Sequence, residues 1–333
     1  MNSRKNSEAP IPERKYIVNT QSCGEIHVFV QGDLTQQDKR AVFLTVHDLG
    51  SNHHSFDDFV HHPSMCEIRE RSVFIHVDAP GHETNAPALA ENFQYPSLQA
   101  FGEELVTVLD FLHVKYVIGF GDGAGANVLA RFALENPTRL LGLILINCTG
   151  SAASVLDSFK NKYFSWSGKQ QVGQSTEDFL IYHRYGHQLL ADTSPDKENV
   201  IEEFREKLHG LLNPSNVKQY VSAFLSRKDL SLKHLKVDTL LLTGLLSPYA
   251  NEVDKLFQEA NKEKTTILKV ERAGHVLNDT PAKIAQSLLL FCKGQGLLSS
   301  VAMPGIDRRM SRGMSMEEYD KPNIRRLSLT TSS

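Results

Sequence analysis

Gly119-Phe120-Gly121-Asp122-Gly123-Ala124-Gly125-Ala126 stands between an apolar run at 116–119 and a helical pattern carrying Val128, Leu129, Phe132 and Leu134. Strand, glycine-rich turn and helix, in that order, are the setting of the nucleophile elbow G-x-S-x-G, a turn so tight that its apex needs small neighbours. Gly121 and Gly125 fit the flanking positions, which makes Gly123 the apex. Two other uses of glycine compete for the stretch. A dinucleotide-binding fingerprint belongs in the first strand-helix-strand unit, with an acid about 20 residues further on. Here several candidate strands come earlier and the next one ends at Asn147. A phosphate loop needs Gly-Lys-Ser or Gly-Lys-Thr, and the sequence has neither.

Outward from the elbow, short β-branched or apolar runs alternate with longer helical patterns, the signature of a parallel sheet with helices on both faces. Candidate strands fall at 26–30, 41–47, 73–78, 116–119, 142–147, 239–243 and 266–270. Phe101, Leu105, Val108, Leu109 and Leu112 recur at helical spacing and form a stripe that can lie on the sheet. The alternation stops after Gly150. Phe179, Tyr182, His183 and Leu190 share one helical segment, and Val200, Phe204, Leu208 and Leu211 repeat at three to four residues on the next. The expected architecture is therefore α/β-hydrolase-like: a mostly parallel central sheet flanked by helices, residues 16–150 and 236–297, with a helical cap insertion at 151–235. Such an insertion can roof the carboxyl ends of the strands, where parallel sheets bind ligands.

Other landmarks suit that scaffold. Thr45-Val46-His47-Asp48-Leu49-Gly50 ends a strand at the place of a His-Gly oxyanion loop, and Asp78-Ala79-Pro80-Gly81-His82 matches a strand-ending D-x-P-G turn. Arg272-Ala273-Gly274-His275 follows the last strand, where a catalytic histidine would stand. Leu242-Thr243-Gly244-Leu245-Leu246-Ser247-Pro248 takes the place of the acid loop but offers Ser247 for the acid.

Through Val77-Asp78-Ala79-Pro80-Gly81, Gln94-Tyr95-Pro96-Ser97-Leu98 and Gly123-Ala124-Gly125-Ala126 followed by Val128-Leu129-Ala130, the chain closely resembles the N-myc downstream-regulated (NDRG) family, over roughly residues 16–296. The resemblance implies a non-catalytic branch of the α/β-hydrolase fold. It implies a cytoplasmic protein of signalling or trafficking, linked to differentiation and stress responses, often with a phosphorylated C-terminal tail. The retained His275 and the Asp122 beside the apex depart from the pattern expected of that family.

Serine hydrolysis needs a nucleophile held against a base, an acid that orients the base, and backbone N–H groups for the oxyanion. Gly123 has no side chain to attack with, so the degenerate positions Gly123, Ser247 and His275 leave no catalytic triad. The N–H groups near Leu49 and Ala124 are expected to persist as an anion-binding nest, in a ligand pocket formed from His47, Asp48, Leu49, Asp122, Gly123, Ala124 and His275. Asp122 is the runner-up nucleophile. Epoxide hydrolases and haloalkane dehalogenases of this fold use an elbow aspartate, and Asp122 with His275 would be the pair. That register puts Phe120 where a small residue is needed, so Asp122 is expected to cap the turn or face solvent. His275 is expected to be a packed loop histidine, with Asp254 and Asp279 as acids that could lie near it. A third reading is a binder of a small apolar or lipid-like ligand under the cap.

Seven of the fourteen histidines lie between His47 and His82, including His53-His54 and His61-His62. Adjacent residues point to opposite faces of a strand or diverge by about 100 degrees on a helix, so these are expected at the surface and not around a metal. Neither metal nor cofactor is implied.

The 333 residues carry 36 basic and 39 acidic groups, a net charge of -3. That balance offers no basic field for nucleic acid. It is unevenly spread: residues 1–300 hold 30 basic and 35 acidic groups, while 301–333 hold six and four. Residues 298–333 are expected to form a disordered, basic, Ser/Thr-rich tail, because they lack apolar surface to offset ordering. In the tail Arg308-Arg309-Met310-Ser311, Arg312-Gly313-Met314-Ser315 and Arg325-Arg326-Leu327-Ser328 set arginines before a serine, the pattern a basophilic Ser/Thr kinase reads. Residues 1–15 are polar and read as a flexible leader without a signal sequence. Cys23, Cys66, Cys148 and Cys292 are scattered, as suits a reduced compartment. The expected setting is cytoplasmic, with other proteins as partners and at most peripheral membrane association.

Overall fold

The computed structural model describes residues 13–157, 159, 176–190 and 197–302. Its centre is an eight-stranded sheet: β1 (Glu13–Thr20), β2 (Gly24–Gln31), β3 (Ala41–Val46), β4 (Ser72–Val77), β5 (Val117–Asp122), β6 (Leu140–Ile146), β7 (Thr239–Gly244) and β8 (Thr265–Val270), in the order β1-β2-β4-β3-β5-β6-β7-β8. β2 runs antiparallel to β1 and β4, and every pairing from β4 to β8 is parallel. The fold is thus the mostly parallel, helix-flanked α/β architecture the alternation predicts. β3, β4, β5 and β7 are buried at every position, because helices cover both faces and strands of this kind are apolar throughout.

Side-chain alternation divides the core in two. Val42, Leu44, Val46, Leu143, Leu145 and Leu241 enter the layer under α1 (Leu98–Phe111) and α2 (Gly123–Glu135). Phe43, Phe74, Ile118, Phe120, Ile144, Ile146 and Leu242 face the opposite layer, closed by the C-terminal helix Pro281–Gly294. Ser97 caps α1 by accepting the Ala100 N–H at 3.1 Å. Gly102 lets α1 meet α2: a Cβ there would stand 2.8 Å from the Val128 carbonyl oxygen.

Between β6 and β7 the chain passes through α3 (Thr176–Leu190), α4 (Lys197–Leu211) and α5 (Pro214–Leu225). These pack over the carboxyl ends of the strands. Buried Asn216 of α5 donates to the carbonyls of Gly81 and Pro87 and accepts the Leu89 N–H, all at 2.9 Å. Leu180 of α3 and Phe204 of α4 close on Gly50, which has φ +64. Among the described residues no helix is long and apolar enough to cross a membrane.

Several boundaries move. β1 begins at Glu13 and takes three residues from the leader expected over 1–15. Its charged start hides it from an apolar-run search, and its partner β2 holds it by a register running from Glu13↔Gln31 to Thr20↔Gly24. β5 extends past Gly119 to Asp122 because Gly121 and Asp122 pair with Leu145 and Ile146. The tail expected from 298 is ordered at its start: Leu298, Ser300 and Val301 are buried, the two apolar side chains in the second core layer, and Ser300 accepts from Arg71 at 2.9 Å. Ser311, Ser315 and Ser328 lie outside the described residues.

Candidate functional site

The elbow has the geometry its glycines require. β5 ends at Asp122 with φ -120, and Gly123 turns the chain with φ +50, a left-handed conformation that favours glycine. Gly121 is held small by α2: a Cβ there would lie 2.8 Å from the Ala126 nitrogen. The apex is Gly123.

The space a nucleophile would fill is taken by Asp48. A Cβ on residue 123 would overlap the Asp48 carboxylate. Asp48 reaches the elbow from the loop after β3, and its Oδ1 accepts the Ala124 N–H at 2.8 Å. In a serine hydrolase of this shape that N–H, following the nucleophile, serves the oxyanion. The donors expected to form an open nest are therefore occupied from within. Asp48 Oδ2 accepts from His183 Nε2 at 2.7 Å, and His183 Nδ1 meets the Tyr249 hydroxyl at 2.7 Å. Burial works against the charge on Asp48. His183 and the N–H groups of Ala124 and Leu49 outweigh it and hold the carboxyl well below the usual range. The result is a hydrogen-bonded chain from α3 through Asp48 to the first turn of α2.

His47, the neighbour of Asp48, is structural. Its Nε2 accepts the Ala79 N–H at 3.0 Å and its Nδ1–H donates to the Asp48 carbonyl at 2.7 Å, so the backbone fixes the neutral tautomer. Burial, with nearby His82, lowers its pKa to about 3. The surface location expected for the histidine cluster fails for His47, His53, His76 and His82, all buried. Each has a local partner instead: His53 Nδ1 binds Asp78 at 2.7 Å, His76 Nδ1 pairs with the Thr45 hydroxyl at 2.7 Å, and His82 Nδ1 donates to the Pro80 carbonyl at 3.1 Å. Among the described residues no three His, Cys, Asp or Glu side chains form a group that could hold a metal ion.

Asp122 neither caps α2 nor faces solvent. It follows Ile118 and Phe120 on the face away from α2, is 4% exposed, and its Oδ2 lies 3.0 Å from His275 Nε2. The period of two along β5 dictates that direction. Among the described residues, Asp122 Oδ1 and His275 Nδ1 have no hydrogen-bond partner. Of the two acids expected near His275, Asp279 accepts the backbone N–H groups of Gly274 and His275, at 2.8 and 3.0 Å, and Asp254 pairs with Lys269 at 2.7 Å. Ser247 bonds Asn147 Oδ1 at 3.1 Å and accepts the Tyr249 N–H at 3.2 Å.

The residues singled out thus form two groups. Asp48, Leu49, Gly123 and Ala124 meet above the elbow, and Asp122 and His275 meet below it. His183 and Tyr249 complete the upper group, and sequence reasoning did not assign them. A histidine on a helix apolar face carries no sign of a partner 135 residues away.

The model of the Ndr family matches residues 16–299. An uncharacterized protein of Caenorhabditis elegans is 39% identical over 319 residues, covering 94% of this chain and 94% of its own length. An NDRG-like protein of Dictyostelium discoideum is 33% identical, covering 86% and 87%, and Protein NDRG3 of Xenopus laevis is 30% identical, covering 88% and 79%. Among solved structures, a hydrolase from Pseudomonas aeruginosa aligns with TM-score 0.60 and 18% identity over 83% of this chain and 97% of its own. A carboxylesterase of the thaumarchaeon Nitrososphaera gargenis aligns with TM-score 0.63 and 14% identity, over 84% and 98%. At such identities the likeness concerns the fold alone.

Proposed function

The chain belongs to the Ndr family, and from that premise and the elbow geometry we propose that it is a non-catalytic, α/β-hydrolase-like protein acting in cytoplasmic signalling through interactions with other proteins. Differentiation, stress response or trafficking is the process it serves. The observation that carries the proposal is the Asp48 carboxylate lodged at the apex of the elbow. Acyl transfer needs a side chain at the apex and free N–H donors beside it. Gly123 provides no side chain, and Asp48 already uses the Ala124 N–H. A basophilic kinase acting at Ser311, Ser315 and Ser328 would add about -1.5 to -2 charges per site and reverse the sign of the basic tail.

A second reading rests on the 3.0 Å contact between Asp122 and His275, a carboxylate and an imidazole within proton-transfer reach. It makes the protein a hydrolase of the epoxide or haloalkane type. Burial opposes it, since a nucleophilic carboxylate must meet its substrate and Asp122 lies below the elbow, not at its apex.

Purified full-length protein offered ester, epoxide and haloalkane substrates is expected to turn them over no faster than a denatured control, and a serine-directed fluorophosphonate is expected to leave it unlabelled. Turnover abolished by Asp122→Asn would overturn the proposal in favour of the second reading. Treatment with a basophilic kinase, followed by peptide mass spectrometry, is expected to find phosphate on the tail serines. An unmodified tail would remove the regulatory part.

A further inference from the structure

A cleft of about 380 Å³ opens between the helical insertion and the loop that follows Asp48-Leu49, within the size range of small-molecule sites. None of Asp48, Asp122, Gly123 or His275 lines it, so it is a separate feature from the elbow. One wall is polar and comes from residues 50–58, a turn running into the short helices His53–Phe56 and Asp57–Val60, with the hydroxyls of Ser51 and Ser55. Ser51 holds the loop in place by donating to the Asp48 carbonyl at 2.8 Å. The facing wall comes from α3, α4 and the residue just past α4, and is divided by chemistry: Arg184 and Lys207 supply two cations, and Phe204, Leu211 and Leu212 supply an apolar surface.

The two cations are unused. Among the described residues neither Arg184 nor Lys207 has an ion pair or hydrogen bond, whereas Arg205 on the same helix as Lys207 binds both Glu177 and Glu202. Asp58 is the one carboxylate among the described residues lining the cleft. Against it stand Arg184, Lys207 and His54, whose imidazole is tied to Asp57 at 2.7 Å. The balance favours an anion. A guanidinium and an ammonium in one cleft, with the Ser55 hydroxyl as a further donor opposite, suit a phosphate or carboxylate head. The adjoining leucines and phenylalanine suit a hydrocarbon body and would gain from its burial.

We propose that this cleft binds a small, monomeric anionic amphiphile: a phosphate monoester or carboxylate carrying a short apolar chain, its head held by Arg184 and Lys207 and its chain laid against Phe204, Leu211 and Leu212. This goes beyond the signalling role and does not depend on it, because the binding site uses none of the elbow residues.

Isothermal titration of the full-length protein tests it with four probes: octyl phosphate, octanoate, octanol and inorganic phosphate, the amphiphiles kept below micelle formation. Octyl phosphate and octanoate are expected to bind saturably at one site. Octanol, lacking the charge, and inorganic phosphate, lacking the chain, are each expected to bind at least about tenfold more weakly. Arg184→Gln and Lys207→Gln are expected to weaken octyl phosphate about tenfold each, leave octanol unchanged, and keep the unfolding midpoint of the parent. Lys207 is exposed, so its variant folds whatever Arg184 contributes to stability. Octanol binding as tightly as octyl phosphate would overturn the proposal. So would unchanged affinity in both variants, absence of saturable binding, or binding confined to vesicles of phosphatidic acid in phosphatidylcholine, which would point to a membrane surface.

Discussion

Two buried carboxylates flank the elbow, one above and one below. Asp48 gives both oxygens to donors, the Ala124 N–H on one side and His183 on the other, while Asp122 gives one oxygen to His275 and leaves the second without a partner among the described residues. Burial alone does not distinguish them: the residues are 7% and 4% exposed. The difference lies in what each holds together. Asp48 ties three parts of the chain into one unit, the loop after β3, the start of α2 and helix α3, whereas Asp122 joins only two, the end of β5 and the segment after β8. In a hydrolase the elbow's upper face is where substrate meets enzyme. Here that face is the better satisfied and the more tightly closed.

The strongest way to break this arrangement is to put a side chain on the apex. Gly123→Ala places a Cβ inside the Asp48 carboxylate at φ +50, combining overpacking with a backbone angle unfavourable to alanine. The expected loss is about 4 kcal/mol by urea unfolding, and Gly123→Ser, with an equal steric problem, is expected to gain no esterase activity. Asp48→Ala is expected to lose about 3 kcal/mol, because the Ala124 N–H and His183 are left buried without an acceptor. In the double variant the overlap is absent, so the two losses are expected to be well short of additive. Additive losses would mean that Asp48 does not fill the elbow.

Much of the scaffold is written locally. Seven of the eight strands are apolar runs, and the elbow is visible because a left-handed apex between two close approaches leaves only glycine. β1 is not, since Glu13-Arg14-Lys15 carries no apolar signal and the strand exists by pairing with β2. The identity of the site's positions is likewise local: Gly123, Ser247 and His275 can be named from their place after β5, β7 and β8. Their partners are not. The Asp48–His183 bond spans 135 residues and the Asp122–His275 bond 153, so each depends on how the insertion or the last loop docks. A sequence shows that Asp122 alternates away from the apex only once β5 is known to reach it. The buried histidines are hidden for a related reason. Each is satisfied by one specific neighbour, a carbonyl, a hydroxyl or a carboxylate, that spacing does not reveal.

Acid tests how firmly the upper face is set. His47 is held neutral beside Asp48 with its pKa at about 3, against an ordinary 6.5, so between these values the unfolded chain binds a proton the folded chain refuses. Stability must therefore fall as pH drops from about 6.5, by about 1.4 kcal/mol per pH unit for this group. His76, lowered to about 3, and His82, lowered to about 4, act in the same sense. Asp48, whose pKa is depressed, keeps its full contribution down to the ordinary carboxylate range and loses it progressively as pH falls below that range toward its own lowered pKa. His47→Gln can still donate to the Asp48 carbonyl and accept from Ala79, so it is expected to remove about one proton from the slope. Between pH 6.5 and 5 that amounts to about 2 kcal/mol, read from urea midpoints at each pH. An unchanged slope would show that His47 charges freely in the folded protein.

The smallest effect belongs to the lower face. Asp122→Ala removes a carboxylate with one hydrogen bond and leaves only His275 Nε2 to find another partner. Because Asp122 Oδ1 is already unsatisfied, deleting the group also relieves a buried polar atom, which offsets part of the lost bond. The net loss is expected to be about 1 kcal/mol, a third of that for the same substitution at Asp48. The two alanine variants, unfolded in urea under one set of conditions, compare the faces directly. Equal losses would place a hydrogen-bond donor or a bound group on the free oxygen of Asp122, and the pair with His275 would then be the better-held of the two.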